Sequence, residues 1–425
     1  MEHGLDTEAL AVVAGCVVLW GLVSARLERL NITAPIAFVL LGLLVAHQPV
    51  SLLDVQLQSS SVRTVAEVTL ALVLFADASR VNVGELRLDL DLPLRLLGIG
   101  LPLTMAAGAA VAAALFGGVD ISVALLIGAI VAPTDAALGA SIMADPRVPV
   151  RVRRVLNVES GLNDGIAPPF VTAFLAAAVA HEAGHAEGVG SAIVDLLIGA
   201  GVGIGVGFLG AVLLRYGQKH SWSDRAFVSL VVLGLAVGAY AAGIEAGGNG
   251  FVAAFVGGMA FGTVMPGDDE LTLGFTDDAG ELLSMIVWLL FGTSMVVPAF
   301  EHLIWQDVVF AVLALTLVRM IPVALALIGT GLDRTTVAFV GWFGPRGLAS
   351  VVFVLIAFDS LDAADGDRVL STVTFTVLLS VLAHGITSSP FAARYGQHAN
   401  GLHAHKPEHR HTPHLRPRPM RQRRT

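Results

Sequence analysis

Apolar runs of about 20 residues recur along the chain from residue 8 to residue 393. A helix needs roughly that length to cross a bilayer, and it satisfies its own backbone hydrogen bonds there. Charged residues make up 14% of the chain, whereas a soluble domain has roughly 25%. The sequence therefore predicts an all-α polytopic membrane protein. Residues 1–393 form one transmembrane domain, with no soluble domain between the spans.

The boundaries of these runs predict about thirteen transmembrane helices. The predicted spans lie near residues 8–25, 34–47, 63–79, 94–116, 121–143, 151–180, 189–214, 222–242, 250–264, 280–299, 303–329, 335–358 and 367–392. The chain begins with "MEHGLDTEAL", which is acidic and lacks the basic n-region of a signal peptide. The first run is therefore expected to remain as a membrane helix.

The distribution of Lys and Arg predicts the orientation, because short cytoplasmic loops are enriched in them. With the N-terminus outside and an odd number of spans, 21 of the 25 Lys and Arg residues fall on the inside. Arg319 and Arg346 lie within spans. An ionisable group there is costly, so each indicates either a functional site or an ion pair that only holds helices together. The predicted location is the plasma membrane.

The C-terminal residues 394–425 differ in composition from the rest of the chain. They are rich in His, Pro and Arg, and such a segment buries too little apolar area to fold by itself. They are predicted to form a disordered cytoplasmic tail that faces the membrane lipids.

One short motif suggests a different class of protein. "HEAGH", residues 181–185, matches the HExxH pattern of zinc proteases. His181 and His185 would bind the metal and Glu182 would act as the base. The motif follows a completed span, and Gly184 weakens a helix there, whereas zinc binding needs both histidines on one helix face. An intramembrane protease is therefore kept only as an alternative from another class.

The stretch "NVESGLNDGIAPPF", residues 157–170, places carboxylates in an otherwise apolar span. Residues four apart share a helix face, so Ser160 lies with Asp164, and Glu159 lies with Asn163. Carboxylate, amide and hydroxyl oxygens are ligands that suit a hard monovalent cation and are poor ligands for zinc or copper. The sixth span is therefore a candidate cation site.

The fifth and twelfth spans each contain a helix-breaking sequence. In the fifth, Pro133 lacks an N–H, which interrupts the helix and frees backbone carbonyls. Thr134 and Asp135 follow; Asp135 either caps the second half-helix or binds the cation directly. In the twelfth, "GPRG" contains Pro345 and Arg346. The two spans are seven apart and therefore antiparallel, so they predict two inverted repeats with crossed broken helices, the arrangement of a transporter with a midplane site.

These motifs resemble the monovalent cation/proton antiporter family, the sodium/proton exchangers of the NhaP type. "ESGLND" is similar to that family's ESLLND stretch, and "FGPRGLAS" to its GGLRGAVS-like stretch. "APTD" resembles its broken-helix TDP, with Ala136 in place of the usual proline. "LVLFADAS" resembles a third-span stretch with an acidic residue, which makes Asp77 a candidate accessory acid. The resemblance covers residues 8–393.

The resemblance implies a role for each polar residue of the site. Asp164 would be the carboxylate that alternately holds Na⁺ and H⁺. Asn163 would take the place of a second aspartate found in electrogenic relatives, and Ser160 and Thr134 would contribute oxygens. Glu159 would pair with Arg319, and Arg346 would lie at the helix crossing.

The predicted function is secondary active exchange of Na⁺ or Li⁺ for H⁺, electroneutral at 1:1, with no enzyme activity and no cofactor. K⁺/H⁺ or mixed-cation exchange stays open, because side-chain types do not separate ions that differ by ligand distance. A cation channel would need a filter of stacked carbonyls, and the sequence has no TVGYG-like run. The expected partners are membrane lipids and a second copy in a homodimer, and not nucleic acid.

Overall fold

The computed structural model describes residues 7–30, 32–46, 60–81, 90–182, 189–265, 269–403 and 406–410. Within these ranges the regular secondary structure is entirely helical. In chain order the helices are α1 (Thr7–Arg29), α2 (Ala34–Ala46), α3 (Ser60–Ser79), α4 (Asp91–Leu115), α5a (Ile121–Val131), α5b (Ala140–Met143), α6 (Val150–Glu182), α7 (Val189–Lys219), α8 (Arg225–Glu245), α9 (Gly250–Val264), α10 (Asp269–Leu290, continuing through Phe291–Met295 and Val296–Glu301), α11a (Trp305–Leu315), α11b (Leu317–Ala326), α12a (Arg334–Trp342), α12b (Leu348–Ser360) and α13 (Ala363–Asn400).

Helix length and apolar composition identify the membrane-spanning segments. Eight segments in the described part of the chain are long and apolar enough to cross a bilayer: α1, α4, α6, α7, α8, α10, the whole of α11, and α13. Helices α2, α5a, α9 and α12b are shorter and apolar. The chain is a multi-span helical membrane protein, which confirms the predicted fold class, while the count of thirteen spans stays a prediction.

Helices α5 and α12 are both interrupted near mid-membrane depth. Helix α5a has 11 residues, so it extends about 16 Å, roughly half of a 30 Å hydrocarbon core. Residues 132–139 then lie outside the helix before α5b. In α12, residues 343–347 leave the helix between α12a and α12b. Both interruptions lie where the prolines predict them, at Pro133 and Pro345.

The helices pack as two groups. One group contains α4, α5, α6, α11, α12 and α13, and the other contains α2, α3, α7, α8, α9 and α10. Helix α6 packs on α5 within its own group and also on α3, α7 and α9. The residues of the sequence-predicted cation site therefore lie on a helix at the boundary between the two groups.

The eleventh span differs from its prediction as one continuous helix over 303–329. It breaks at Thr316, where φ is −114° and ψ is −94°. The Thr316 hydroxyl donates to the carbonyl of Val312 at 2.6 Å. The sequence has neither Gly nor Pro at this position, so the break carries no local signal.

The end of the chain also differs from its prediction. Helix α13 continues to Asn400, beyond the predicted boundary at residue 393. Further on, Glu408 is 1% exposed, and its Oε1 accepts from the Asp333 N–H at 2.6 Å and from the Thr336 hydroxyl at 2.9 Å. The predicted disorder of 394–425 therefore does not apply to residues 394–403 and 406–410. The composition of the tail does not indicate this contact, because the contact depends on one carboxylate, Glu408, that caps a helix distant in sequence. The rest of the tail lies outside the described residues.

Candidate cation site at the crossed helices

Asp135 joins the two broken helices. Its backbone N–H donates to the carbonyl of Pro345 at 2.7 Å. Its Oδ1 accepts from the N–H groups of Ala137 and Leu138 at 2.7 and 3.2 Å, and its Oδ2 accepts from the N–H of Leu348 at 2.9 Å. One carboxylate thus caps the turn after the α5 break and the first residue of α12b, where free N–H groups favour a negative charge.

Arg346 makes the reciprocal contact from α12 to α5. Its side chain is fully buried. Nη1 donates to the carbonyls of Ala132 and Pro133, the latter at 3.2 Å, and Nη2 donates to the carbonyl of Ala314 at 3.3 Å. The guanidinium thereby satisfies carbonyls freed by the breaks in α5 and α11, and its charge suits the C-terminal end of α5a.

Two glycines permit this close crossing. A Cβ at Gly347 would occupy the space of the Asp135 carboxylate. A Cβ at Gly344 would come within 2.7 Å of Arg319 Nε and 2.9 Å of Thr134 Cγ2. The glycines of "GPRG" are therefore explained by the side chains that pack against the extended segment.

Three buried polar side chains connect α5 to α6. The Thr134 hydroxyl lies 3.0 Å from Ser160 Oγ and accepts from Asn163 Nδ2 at 2.7 Å. Their exposed fractions are 1%, 3% and 0%. Asn163 Oδ1 is buried and has no hydrogen-bond partner among the described residues. Asp164 follows directly, is half-buried, and shares its helix face with Ser160.

Glu159 and Arg319 form a buried ion pair. Arg319 Nη2 lies 2.5 Å from Glu159 Oε1, and the two side chains are 1% and 2% exposed. Arg319 belongs to α11b and also packs beside Gly344. The pair therefore links α6 and α11 next to the crossing, and it neutralises the second carboxylate of the sixth span.

Asp77 lies in α3 rather than on the crossed helices. Arg80 Nη1 is 3.5 Å from its Oδ1, and Arg80 also pairs with Asp277 of α10. The structure thus gives Asp77 an ion-pair contact near the end of α3.

His181 and Glu182 of the HEAGH motif are the last two residues of α6. His181 Nε2 is 3.3 Å from Asp120 Oδ2, and the Glu182 carboxylate accepts from the Asp362 N–H. His185 lies outside the described residues. Where the structure describes the chain, one group of potential metal ligands lies close together, Glu182 with Asp362 and Asp365, and it contains no histidine. These contacts do not favour the zinc-protease alternative.

Several polar residues that support the crossing were missed by sequence reasoning. Ser350 Oγ donates to the carbonyl of Ile130 at 2.7 Å, and Ser380 and His384 of α13 contact α12. A signal for the last two was present, because polar residues recur every fourth position from Thr372 to Ser388. Such a stripe in an apolar span indicates a face buried against other protein.

Pro168 and Pro169 are a second missed feature. Both lie inside α6, and neither has an N–H to donate to the carbonyl four residues earlier, which for Pro168 is that of Asp164. The Thr172 hydroxyl lies 3.0 Å and 3.2 Å from the carbonyls of Pro168 and Pro169. The helix is therefore weakened one turn after Asp164. The sequence alone indicates this, because Pro168 lies four residues after Asp164.

Antiparallel broken helices that cross near mid-depth in a helical membrane protein define an inverted-repeat secondary transporter. The chain belongs to the sodium/hydrogen exchanger family, since the profile described as "Sodium/hydrogen exchanger, transmembrane" matches residues 14–394. Members of this family are antiporters, that is, transporters rather than enzymes.

The chain is similar to curated antiporters from three organisms. A Na⁺/H⁺ antiporter of Schizosaccharomyces pombe is 27% identical over 65% of this chain and 65% of its own length. A Na⁺/H⁺ antiporter of Saccharomyces cerevisiae is 25% identical over 68% and 33%, and the K⁺/H⁺ antiporter NhaP of Alkalimonas amylolytica is 27% identical over 66% and 48%. The matches thus span less than two thirds of these relatives' lengths.

The fold is similar to a solved structure of the sodium proton antiporter MjNhaP1 from Methanocaldococcus jannaschii. The TM-score is 0.73 at 22% identity, and the match covers 92% of this chain and 99% of that one. The two folds therefore correspond over most of this chain and nearly all of the other.

Proposed function

We propose that the protein exchanges Na⁺ or Li⁺ for H⁺ across the plasma membrane, with both ions competing for Asp164. The observation that supports this most directly is the buried hydroxyl and amide cluster of Thr134, Ser160 and Asn163 beside that carboxylate. Partial burial disfavours the charged form of a carboxylate, so either a proton or a cation can neutralise it. Binding of one excludes the other, and alternating access carries whichever is bound.

The charges around Asp164 favour an electroneutral 1:1 cycle. Glu159 is paired with Arg319 at 2.5 Å, and position 163 is an amide. One carboxylate in this part of α6 is then left to titrate during the cycle. Exchange of one Na⁺ for one H⁺ moves no net charge, so a membrane potential at equal ion gradients leaves the rate unchanged. Asn163→Asp adds a carboxylate but makes exchange electrogenic only if that group also titrates.

Potassium is the second candidate cation. The relative from Alkalimonas amylolytica is named a K⁺/H⁺ antiporter, and oxygen ligands accept either ion. Proteoliposome pH-quench assays with Na⁺, Li⁺ and K⁺ in parallel separate the cations. Exchange with K⁺ and none with Na⁺ or Li⁺ would contradict Na⁺/H⁺ exchange and support K⁺/H⁺ antiport.

Asp164→Asn tests the mechanism most directly. The substitution keeps the shape and removes the titratable charge, so folded protein in liposomes is expected to lose both cation and proton movement. Wild-type exchange is expected to weaken at acid pH, where protons outcompete Na⁺. Near-wild-type exchange by the Asn variant contradicts the mechanism. Asp77→Asn is the matched change at a carboxylate that contacts Arg80; loss of exchange there would make Asp77 an accessory acid of the cycle.

The proposed orientation has the N-terminus outside and the C-terminus inside, and it is supported by the partition of Lys and Arg. A homodimer is proposed from the family resemblance alone. A single cysteine placed in the His/Arg tail, with Cys16 replaced, is expected to resist labelling by an impermeant reagent added to intact cells. Labelling from outside contradicts the orientation, and labelling after lysis is the control for accessibility.

A further inference from the structure

Two residues of α13 hold the extended segment of α12 at its two ends. His384 Nε2 lies 2.8 Å from the carbonyl of Trp342, the last residue of α12a. The N–H of Arg346 donates to Ser380 Oγ at 2.7 Å. Ser380 and His384 are one helical turn apart and are 0% and 3% exposed. The break in α12 is therefore held by α13 as well as by Asp135 of α5.

The hydrogen bonds require that Nε2 of His384 carries a proton. The carbonyl of Trp342 has no hydrogen to donate, so Nε2–H must be the donor. Nδ1 lies 3.1 Å from Ser380 Oγ and 2.8 Å from the Ser380 carbonyl. It can accept from the hydroxyl when neutral or donate to the carbonyl when protonated. Either protonation state of Nδ1 leaves the bond to Trp342 intact.

We propose that His384 and Ser380 are positioning residues for cation binding. They fix the ends of residues 343–347 and so aim the side chain of Arg346 at the carbonyls of Ala132 and Pro133. Those carbonyls immediately precede Thr134, whose hydroxyl bonds Ser160 and Asn163. The contacts thus run from α13 through both broken helices to the candidate ligands. This inference rests on the proposed function and adds α13 to the site.

Amide substitutions of His384 separate the bond to Trp342 from simple packing. In His384→Gln the amide nitrogen reaches the place of Nε2 and retains a donor to Trp342. In His384→Asn the side chain is one methylene shorter and reaches only the place of Nδ1. Ser388→Ala is the matched control, because Ser388 is buried one turn further along the same face and bonds only the carbonyl of Gly385 in its own helix.

The measurement is the Na⁺ dependence of exchange in proteoliposomes, with the half-saturating concentration and the maximal rate read separately. His384→Asn is expected to raise the half-saturating Na⁺ concentration about three- to tenfold, as expected for one lost hydrogen bond. The maximal rate per folded protein is expected to change little. His384→Gln and Ser388→Ala are expected to stay close to wild type. If His384→Asn does not fold, Ser380→Ala, which removes the acceptor of the Arg346 N–H, is expected to show the same rise.

Three results would overturn the inference. One is wild-type half-saturation in folded His384→Asn, or in Ser380→Ala if the Asn variant does not fold. The second is equal impairment of the Gln and Asn variants. The third is a loss of maximal rate and thermal stability at unchanged half-saturation, which indicates packing only. These results require that wild type exchanges cations; if it exchanges none, the proposed function fails, and this inference fails with it.

Discussion

The breaks in α5 and α12 cross at one place, yet their freed backbone groups have different partners. At the α5 break, Arg346 takes the carbonyls of Ala132 and Pro133, while the adjacent Thr134 hydroxyl faces α6 and bonds Ser160. At the α12 break, Asp135 bonds the N–H of Leu348 and the carbonyl of Pro345. Helix α13 bonds the carbonyl of Trp342 and the N–H of Arg346. The α5 break therefore offers a side chain to the candidate cation site, whereas the α12 break is bound by framework residues.

This difference shows how a charged side chain can be buried at a broken helix without an ion-pair partner among the residues that the structure describes. Asp135 lies at a helix N-terminus and Arg346 at a helix C-terminus, where the free N–H and C=O groups solvate them. Asp135 belongs to the α5 span and caps the N-terminal end of α12b, whereas Arg346 belongs to the α12 span and caps the C-terminal end of α5a. The two breaks are therefore expected to depend on each other for stability but to contribute unequally to cation binding.

The largest expected loss of stability follows from breaking the ion pair of Glu159 and Arg319, which lies beside the crossing of the two breaks. Glu159→Ala leaves Arg319 buried and unpaired beside Gly344, which costs about 3–5 kcal/mol. Thermal unfolding in detergent is expected to show this loss, with a smaller change in Na⁺ affinity. The double variant Glu159→Leu with Arg319→Met removes both charges and is expected to lose less stability than Glu159→Ala. A stable Glu159→Ala protein that no longer binds cation would instead make Glu159 a ligand.

The next effect tests whether one carboxylate caps both breaks. Asp135→Ala removes the acceptor for Ala137, Leu138 and Leu348, and at about 1 kcal/mol for each cap the loss is expected to be about 2 kcal/mol. Asp333→Ala is the matched control, because Asp333 caps one helix, α12a, through the Thr335 N–H, and its carboxylate also contacts His398 of α13. If thermal unfolding shows equal losses for the two variants, Asp135 does not act as a double cap.

The contribution of Asp333 to stability depends on pH, and the sign of that dependence follows from its pKa. The pKa of Asp333 lies below its ordinary value because the Thr335 N–H and then the His398 side chain donate to it. A carboxylate with a lowered pKa in the folded state stabilises the protein above its ordinary pKa and loses that contribution as the pH falls through the lowered value. The difference between wild type and Asp333→Ala in unfolding temperature is therefore expected at neutral pH and to shrink in acid.

Sequence reasoning succeeded where one residue type enforces a local conformation. Pro133 and Pro345 each remove a backbone donor in mid-span, and both breaks lie at these prolines. The pairing of Glu159 with Arg319 came from family resemblance, since nothing in local sequence joins residues in different spans. For Asp135 the structure shows the contacts of a cap, with three backbone N–H donors, and direct cation binding by this carboxylate stays a prediction.

The features that sequence reasoning missed depend on tertiary partners. The break at Thr316 has no Gly or Pro, and the nearby Ala314 carbonyl is satisfied by Arg346 from another span. Glu408 is buried because it caps α12a, although its neighbours in sequence are those of a solvated tail. In both cases the stabilising group is distant along the chain, so no window of local composition or periodicity contains it.

The smallest expected effects separate the two breaks most sharply. Thr134→Val keeps the shape of the side chain and removes the hydroxyl that bonds Ser160 and Asn163. Ser350→Ala removes the donor to the Ile130 carbonyl. Thr134→Val loses two buried hydrogen bonds and Ser350→Ala loses one, so the expected costs are about 1 to 2 kcal/mol of stability.

Of these two changes, only Thr134→Val is expected to affect cation binding, because it removes a candidate ligand. Thr134→Val should raise the half-saturating Na⁺ or Li⁺ concentration about tenfold, the equivalent of about 1.4 kcal/mol. Ser350→Ala should leave it unchanged, because this serine supports α5a from α12b and is not among the candidate ligands. Half-saturation measured for both variants in the same liposome preparation checks this. An equal rise in both would mean that the breaks contribute alike to the site, and the contrast between a binding break and a framework break would be wrong.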